Sequence, residues 1–387
     1  MRFASSRVWW IAGGLVAILI FVLLAAIAGR GAQDLQGDML APGETESLHA
    51  KVIDVLEQGT IDQGEFQQPY QVLYLRITEG PLQGQEIQIE YGTMRPTSDD
   101  RLFRVGDRVI VDRTRTVEGE DFFSISDYVR GKALLWLTLL FIASTVLLSG
   151  WQGVRSLIGM AISLAVIVGF IVPQILNGAD PVFIAIVGSV VMMGASLYLV
   201  YGWRSKTHVA VAGLLLSLMC TGVLAVWFVS WARLSGFGAE EASFLQVAGV
   251  QLDLQGLLLA GIIIGVLGAL DDIAIGQSSA VFELSKANPN LSRQKLFRHG
   301  MTIGRDHIAA MVNTLLLAYV GAALPLVLLF TVYAEPIGIT LNREIIAEEI
   351  VRTLVGSLGL LAGVPLTSLI ASLVARPGKG KSAPGER

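Results

Sequence analysis

Gly261–Glu283, GIIIGVLGALDDIAIGQSSAVFE, decides the reading of the whole chain. Placed on a helix, Gly261, Gly265, Gly268, Asp272, Gly276, Ser279 and Glu283 recur every three or four residues and fall on one face. The other positions are mostly Ile, Leu, Val, Ala and Phe. Such a helix suits lipid on one side and close packing on the other, because a GxxxG such as Gly261 and Gly265 lets a second helix approach. Asp271 and Asp272 fall near the end of the apolar run, where charge is costly unless it is paired, wet or used.

Composition agrees. The 387 residues are 53% hydrophobic, with a mean hydropathy of +0.62, which points to a multi-pass membrane protein. A net charge of −4 gives no nucleic-acid footprint. The single cysteine, Cys220, excludes a disulfide framework within one chain. His49, His208, His299 and His307 match no metal-ligand spacing, and neither a metal nor another cofactor is expected.

Outward from this stretch the chain divides into four parts. Residues 1–28 carry an apolar run, 8–28, after Arg2 and Arg7. The run is longer than the ~7–15 residues of a signal-peptide core, so a retained first helix is expected, although Ala26 and Ala28 leave a cleaved signal open. Residues 29–130 hold 19 of the 32 acidic side chains but only 10 of the 28 Lys and Arg. Five segments there have strand chemistry: His49–Leu56, Tyr70–Thr78, Glu86–Tyr91, Asp107–Arg113 and Asp121–Tyr128. Val52, Val72, Tyr74, Ile87, Ile89, Val109 and Val111 alternate with other residues, predicting half-buried strands and a small OB-like β-barrel. Residues 131–376 hold seven further apolar runs: Ala133–Leu148, Leu157–Ile175, Pro181–Tyr201, Val209–Trp231, Leu254–Ile275, Ile308–Tyr333 and Thr353–Ala375. Residues 377–387 form a basic tail suited to anionic lipid. The fold class expected is a polytopic α-helical membrane protein with eight transmembrane helices and an inserted extracytoplasmic β-barrel.

Charge sets the orientation. With the N-terminus inside, the segments placed in the cytoplasm hold fourteen Lys and Arg, whereas the short external loops hold Arg233 and Arg343, with Arg352 at a helix edge. The positive-inside rule then puts both termini in the cytoplasm and residues 29–130 outside. A short echo, Val168-Gly169 with Pro173 and Val320-Gly321 with Pro325, is the kind of match that parallel repeats leave.

The seventh predicted helix opens at Thr302-Ile303-Gly304-Arg305-Asp306-His307 and continues to Asn313 and Thr314. Asp272 and Asp306 then lie at similar depth, with Asn313 and Thr314 ~10 Å deeper. The eighth adds Glu349, Arg352, Gly356, Gly359 and Gly363. Three polar, glycine-rich stripes could face one cavity, making Asp271, Asp272, Glu283, Asp306, Asn313 and Thr314 the candidate ion- or ligand-binding residues. The plain alternative is that the carboxylates are interfacial and wet, that Asp306 caps its helix, that Asp272 pairs with Arg305 and that Glu348 pairs with Arg352.

Asp271-Asp272-Ile273-Ala274 followed by Ser278, Ser279 and Glu283-Leu284 resembles a signature of the YibE/F-like family of bacterial membrane proteins. Gly304-Arg305-Asp306 with Asn313-Thr314-Leu315 and Leu317 to Gly321, ending Leu324-Pro325-Leu326, is similar to that family's second signature. The resemblance is strongest over residues 260–330. It implies a bacterial plasma-membrane location and one N-terminal helix, an external β region and a helical bundle, in that order. The family pattern often has Met at Asp271 and Ile at His307, so the resemblance gives more weight to Asp272 and Asp306. It implies no defined activity.

Three function classes follow. A transporter or permease for an ion or small solute predicts a polar site between helices six, seven and eight. A scaffold or sensor predicts that the external domain binds a protein partner or a second copy of the chain. An intramembrane enzyme lacks its usual marks, since no GxGD pair, HExxH, GxSxG or GxxxxGK[ST] occurs. The chain is expected to be no enzyme, and its expected surroundings are the lipid bilayer and not nucleic acid.

Overall fold

The structure, a computed structural model, describes residues 45–62, 67–93, 102–116, 120–238, 240–247, 252–333 and 335–375. The expected first helix and the basic tail lie outside these residues. The chain divides between Leu148 and Ser149 into two units.

The first unit contains one five-stranded sheet. Its strands are β1 (Thr45–Asp62), β2 (Gln67–Ile77), β3 (Glu86–Tyr91), β4 (Arg108–Arg115) and β5 (Asp121–Tyr128). Every pairing is antiparallel and the order is β3-β2-β1-β4-β5. β1 is long enough to serve both halves: Thr45 to Lys51 pair with β4, and Ala50 to Asp62 pair with β2. Register shifts at Val52/Asp54 and Val55/Glu57 bulge β1 and bend it, curling the sheet into a half-barrel.

Leu48, Ala50, Val52, Leu73, Leu75, Ile77, Ile87, Ile89, Val109 and Val111 fill the concave side. All five expected strands are present, but the phase expected for β2 is corrected. Leu73 and Leu75 point inward; Tyr74 lies on the other face, where its hydroxyl donates to Glu86 Oε2 at 2.5 Å. Register with β1, which sets Val52 opposite Leu75, decides between two apolar sets one residue apart.

Phe103, from the loop before β4, bridges the two outer strands. Its ring lies 4.7 Å from Tyr91 at the end of β3 and 4.5 Å from Tyr128 at the end of β5. The buried Gln71 amide holds the Phe103 backbone at both groups: Nε2 donates to the carbonyl at 3.0 Å, and Oε1 accepts from the N–H at 2.8 Å. An aromatic plug thus covers an opening that no strand pairing among the described residues seals.

Arg113 crosses three strands, donating to Asp121 Oδ2 at 2.8 Å and to Glu46 Oε2 at 3.4 Å. The hydrogen bond from Arg113 holds the Asp121 carboxyl below its ordinary 3.8. A carboxyl lowered in the folded state stabilises the fold above its unfolded value, and this contribution is lost as pH falls through the lowered native value. Isolated residues 45–130 should therefore lose melting temperature below pH ~4, and Arg113→Met should flatten that decline. Circular dichroism melts across acid pH measure it, and parallel declines would refute the coupling.

The second unit is helical. α1 (Gly131–Val166) enters it from the first and breaks at Gly150, whose φ of 56° and ψ of −133° are non-helical. A π-helical turn, Ile167–Ile171, and α2 (Val172–Leu176) continue it. Then come α3 (Pro181–Tyr201), α4 (Ser205–Trp231), α5 (Glu240–Val247), α6 (Leu254–Ala287), α7 (Arg293–Ala322), α8 (Leu324–Val332), α9 (Ile337–Thr340) and α10 (Glu344–Val374).

Asp180, Asp253 and Ser292 cap α3, α6 and α7, accepting from Phe183, Gly256 and Lys295 N–H at 2.7, 2.9 and 3.3 Å. The start expected for α7 near Thr302 is therefore corrected to Arg293, and Asp306 is not its cap. α7 and α8 bend by 59° at Ala323, where Pro325 removes a backbone donor. The Val-Gly…Pro echo coincides with two of the helix irregularities, the π-turn before Pro173 and this bend.

Five helical stretches among the described residues are long and apolar enough to cross a membrane, or six if the bent pair is one span. Eight were expected. The expected pair Ala133–Leu148 and Leu157–Ile175 falls within one stretch, Gly131–Leu176, broken at Gly150.

Small residues bring α4 and α10 together. A Cβ added at Gly213 of α4 would lie 2.9 Å from Thr367 Cβ of α10, and one at Gly363 would lie 3.3 Å from Ser217 Oγ of α4. Gly359 sits against Thr221. Gly363 also meets Leu270 and Ile273 of α6, and Gly356 lies between Val266 of α6 and Leu315 of α7, so the α10 glycines serve close packing against three helices.

Candidate functional site

α6 is the centre of this unit. Ile262, Ile263, Val266, Leu270, Ile273 and Val281 are buried on it. The glycine stripe has the opposite fate from the one its spacing suggests: Gly261, Gly265, Gly268, Asp272 and Gly276 are all exposed. The branched residues of α6 fill the core, and α4 and α10 supply the close approaches.

The adjacent aspartates sit on neighbouring flanks of α6, about 100° apart. Asp272 shares its flank with Gly265, beside Tyr319 of α7: a Cβ added at Gly265 would lie 3.2 Å from the Tyr319 hydroxyl. Asp271 lines a pocket of about 190 Å³ with Ser163, Ile167, Met192, Met193, Ser196, Ile264, Leu267 and Gly268. Its Oδ1 is buried and has no hydrogen-bond partner among the described residues.

α7 presents its polar side elsewhere. Ile308, Met311 and Leu315 pack toward the core around α6. Asp306 and Asn313, two residues before Ile308 and Leu315, lie about 200° round the helix and are exposed. Neither side chain makes a hydrogen bond or ion pair to a described residue. Thr314 is exposed and donates to the Ala310 carbonyl at 2.9 Å. Glu283 pairs with Lys286 at 2.7 Å on the surface. The structure therefore brings none of Asp272, Asp306, Asn313, Thr314 and Glu283 into contact with another, and it turns Asp271 into a pocket of its own.

The pairing expected for Arg352 is also corrected. Arg352 bonds Glu349, while Glu348 is buried and accepts the Gly238 N–H at 3.1 Å. Glu344, one turn earlier, accepts from the Ser235 hydroxyl at 2.6 Å and the Gly236 N–H at 3.2 Å. Two α10 carboxylates thus clasp the loop after α4.

One polar residue central to the bundle escaped the sequence reading. Gln277, buried, donates through Nε2 to the Gly300 carbonyl at 2.7 Å and to Ser368 Oγ at 2.6 Å, tying α6, α7 and α10 at one point. Its signal was available: Ile273, Gln277 and Val281 recur at i+4 on the apolar face, where an amide must find partners.

A YibE/F-like protein model matches residues 137–377. The chain belongs to the YibE/F-like family. With its long apolar helices, this membership makes it a membrane protein. No curated protein and no solved structure matches it. The YibE/F-like match covers the whole helical unit described above, including both aspartates of α6.

Proposed function

We propose that the chain is a transporter or permease for an ion or small solute, with α6 as the helix that carries the site. The carrying observation is the pair of carboxylates on neighbouring flanks of one apolar helix, Asp271 turned into a pocket and Asp272 exposed on the flank it shares with Gly265. Carboxylates at such positions are costly and usually mark ion paths. The site expected between α6, α7 and α10 narrows on this reading to α6 and its two flanks. Asp306 and Asn313 serve as an outer relay only if water or a second copy covers α7.

The finer architecture belongs to the same proposal. Eight spans, cytoplasmic termini and a bacterial plasma-membrane location have the support of the Lys and Arg bias and the family resemblance. An OB-like external barrel has the support of the strand order and of the aromatic plug between β3 and β5. That compact β unit favours a second reading, a scaffold or sensor whose external domain binds a partner.

The test is ion flux into proteoliposomes loaded with proton-, sodium- and potassium-sensitive dyes. Wild-type protein should dissipate at least one imposed gradient. Asp272→Asn should lose that flux while still inserting and running as a monodisperse peak. A wild-type protein that moves none of the ions, or an Asp272→Asn variant as active as wild type, sides with the scaffold reading.

A further inference from the structure

We infer that the pocket in front of Asp271 is a proton-binding site inside the helical unit, with Asp271 as the group that takes up and releases the proton. The inference rests on the reading of α6 as the carrier helix and names what its inner flank binds.

Three properties of the pocket select the ligand. The first is charge. The wall from residues 156 to 172 has no ionisable side chain, and α3 brings only Tyr198 and Tyr201. Tyr198 is committed to His208 at 2.8 Å; among the described residues, Tyr201 and Asp272 are the ionisable groups within electrostatic reach of Asp271. Lys206, bonded through its carbonyl to Ser278 and through Nζ to Ser279, is two turns farther along α6. Among the described residues no cation pairs with the buried Oδ1, so a bound proton is the simplest way to neutralise it.

The second is size. A pocket of about 190 Å³ falls below the ~300–1,000 Å³ usual for small-molecule sites, but holds a few waters. The third is donor chemistry. Among the described residues, only Asp271, Ser163 and Ser196 bring side-chain oxygens to the lining, too few for a calcium ion with its ~6–8 oxygen ligands. Two hydroxyls suffice for a carboxylic acid: one can accept its proton, and both can donate once it has left.

The wall facing Asp271 also has a built-in irregularity. Ile167 lines the pocket and opens the π-helical turn Ile167–Ile171, with Pro173 two residues beyond it. Such single-turn bulges concentrate at functional sites, where the backbone must depart from regular helix. Here the bulge lies beside the one buried acidic oxygen without a partner among the described residues.

The experiment uses the purified full-length protein and two readouts. Dicyclohexylcarbodiimide, an apolar reagent selective for protonated carboxyls, is applied from mildly acidic to mildly alkaline pH, and labelled peptides are assigned by mass spectrometry. Infrared difference spectroscopy over the same range needs no reagent access. Asp271 should be labelled, with labelling falling as pH rises, and Asp272 should be labelled far less. A protonated-carboxyl band should titrate in wild type and vanish in Asp271→Asn, a variant close in volume whose monodispersity is checked in parallel. Neither label nor band at Asp271 overturns the inference. Loss of both on adding sodium at constant pH also overturns it, because the pocket then takes a metal cation. Label and band without any ion flux keep the proton site and remove the transport reading.

Discussion

Phe103→Ala should lower the melting temperature of isolated residues 45–130 by more than about 12 °C. Removing a buried phenyl ring from a core costs about 3–5 kcal/mol, and each kcal/mol is worth about 4–8 °C in a domain of this size. Phe103 is 3% exposed, and its neighbours on either side are rings belonging to different outer strands. Its loss opens a cavity where no backbone ladder can compensate. A unit this small has a net stability of roughly 4–13 kcal/mol, so the variant should sit near its unfolding threshold. Circular dichroism at a β wavelength follows the transition. A shift of only a few degrees would mean that the sheet holds its curvature without the plug. A wild-type segment with no cooperative melt would mean that the strands need the helices to fold.

The second large effect lies in the loop held by α10. Gly236 has φ 85°, and a Cβ built there would meet the Leu254 carbonyl, 2.5 Å from its carbon. Ser235, Gly236 and Gly238 are simultaneously bound to Glu344 and Glu348, and Gln255 Nε2 donates to the Leu234 carbonyl at 2.6 Å, so the loop has nowhere to move. Gly236→Ala should cost ~3 kcal/mol or more, combining the left-handed backbone penalty with a main-chain collision. Gly178→Ala separates the two contributions: Gly178 has φ 83° but nothing within 4 Å of an added Cβ, so it should pay only ~1–2 kcal/mol. Thermal denaturation of both variants in detergent, read by fluorescence-detected size exclusion, gives the comparison. Equal losses would show that the loop yields and that the carboxylate clasp is weak.

Strand positions were legible because period-2 alternation and glycine-rich turns are local properties, and β3 and β5 match their expected ends. The phase of β2 was not, since Val72, Leu73, Tyr74 and Leu75 are all apolar or aromatic and only pairing with β1 selects Leu73 and Leu75. The α6 stripe was legible as a stripe but not as an exposed one. Its glycines show that a neighbour could come close, whereas burial is decided by which faces α4 and α10 occupy. The two aspartates look equivalent in sequence; about 100° of helix rotation separates a pocket-lining side chain from an exposed one. Gln277 did not stand out because a single uncharged amide on an apolar face gives no charge signal, yet it can join three helices.

The sharing of β1 between two half-sheets also sets an order of events during synthesis. The β1–β2 hairpin is complete once Ile77 has emerged, but Thr45 to Lys51 must wait for β4, which ends at Arg115, about 40 residues later. At ~5–20 residues per second, that leaves the Thr45–Lys51 end of the central strand without its β4 partner for roughly 2–8 s. During this interval the nascent chain displays an open edge that any passing strand could join. The segment is thus most vulnerable to mispairing before its own partner exists, and a holdase acting on the emerging chain has those few seconds in which to protect it.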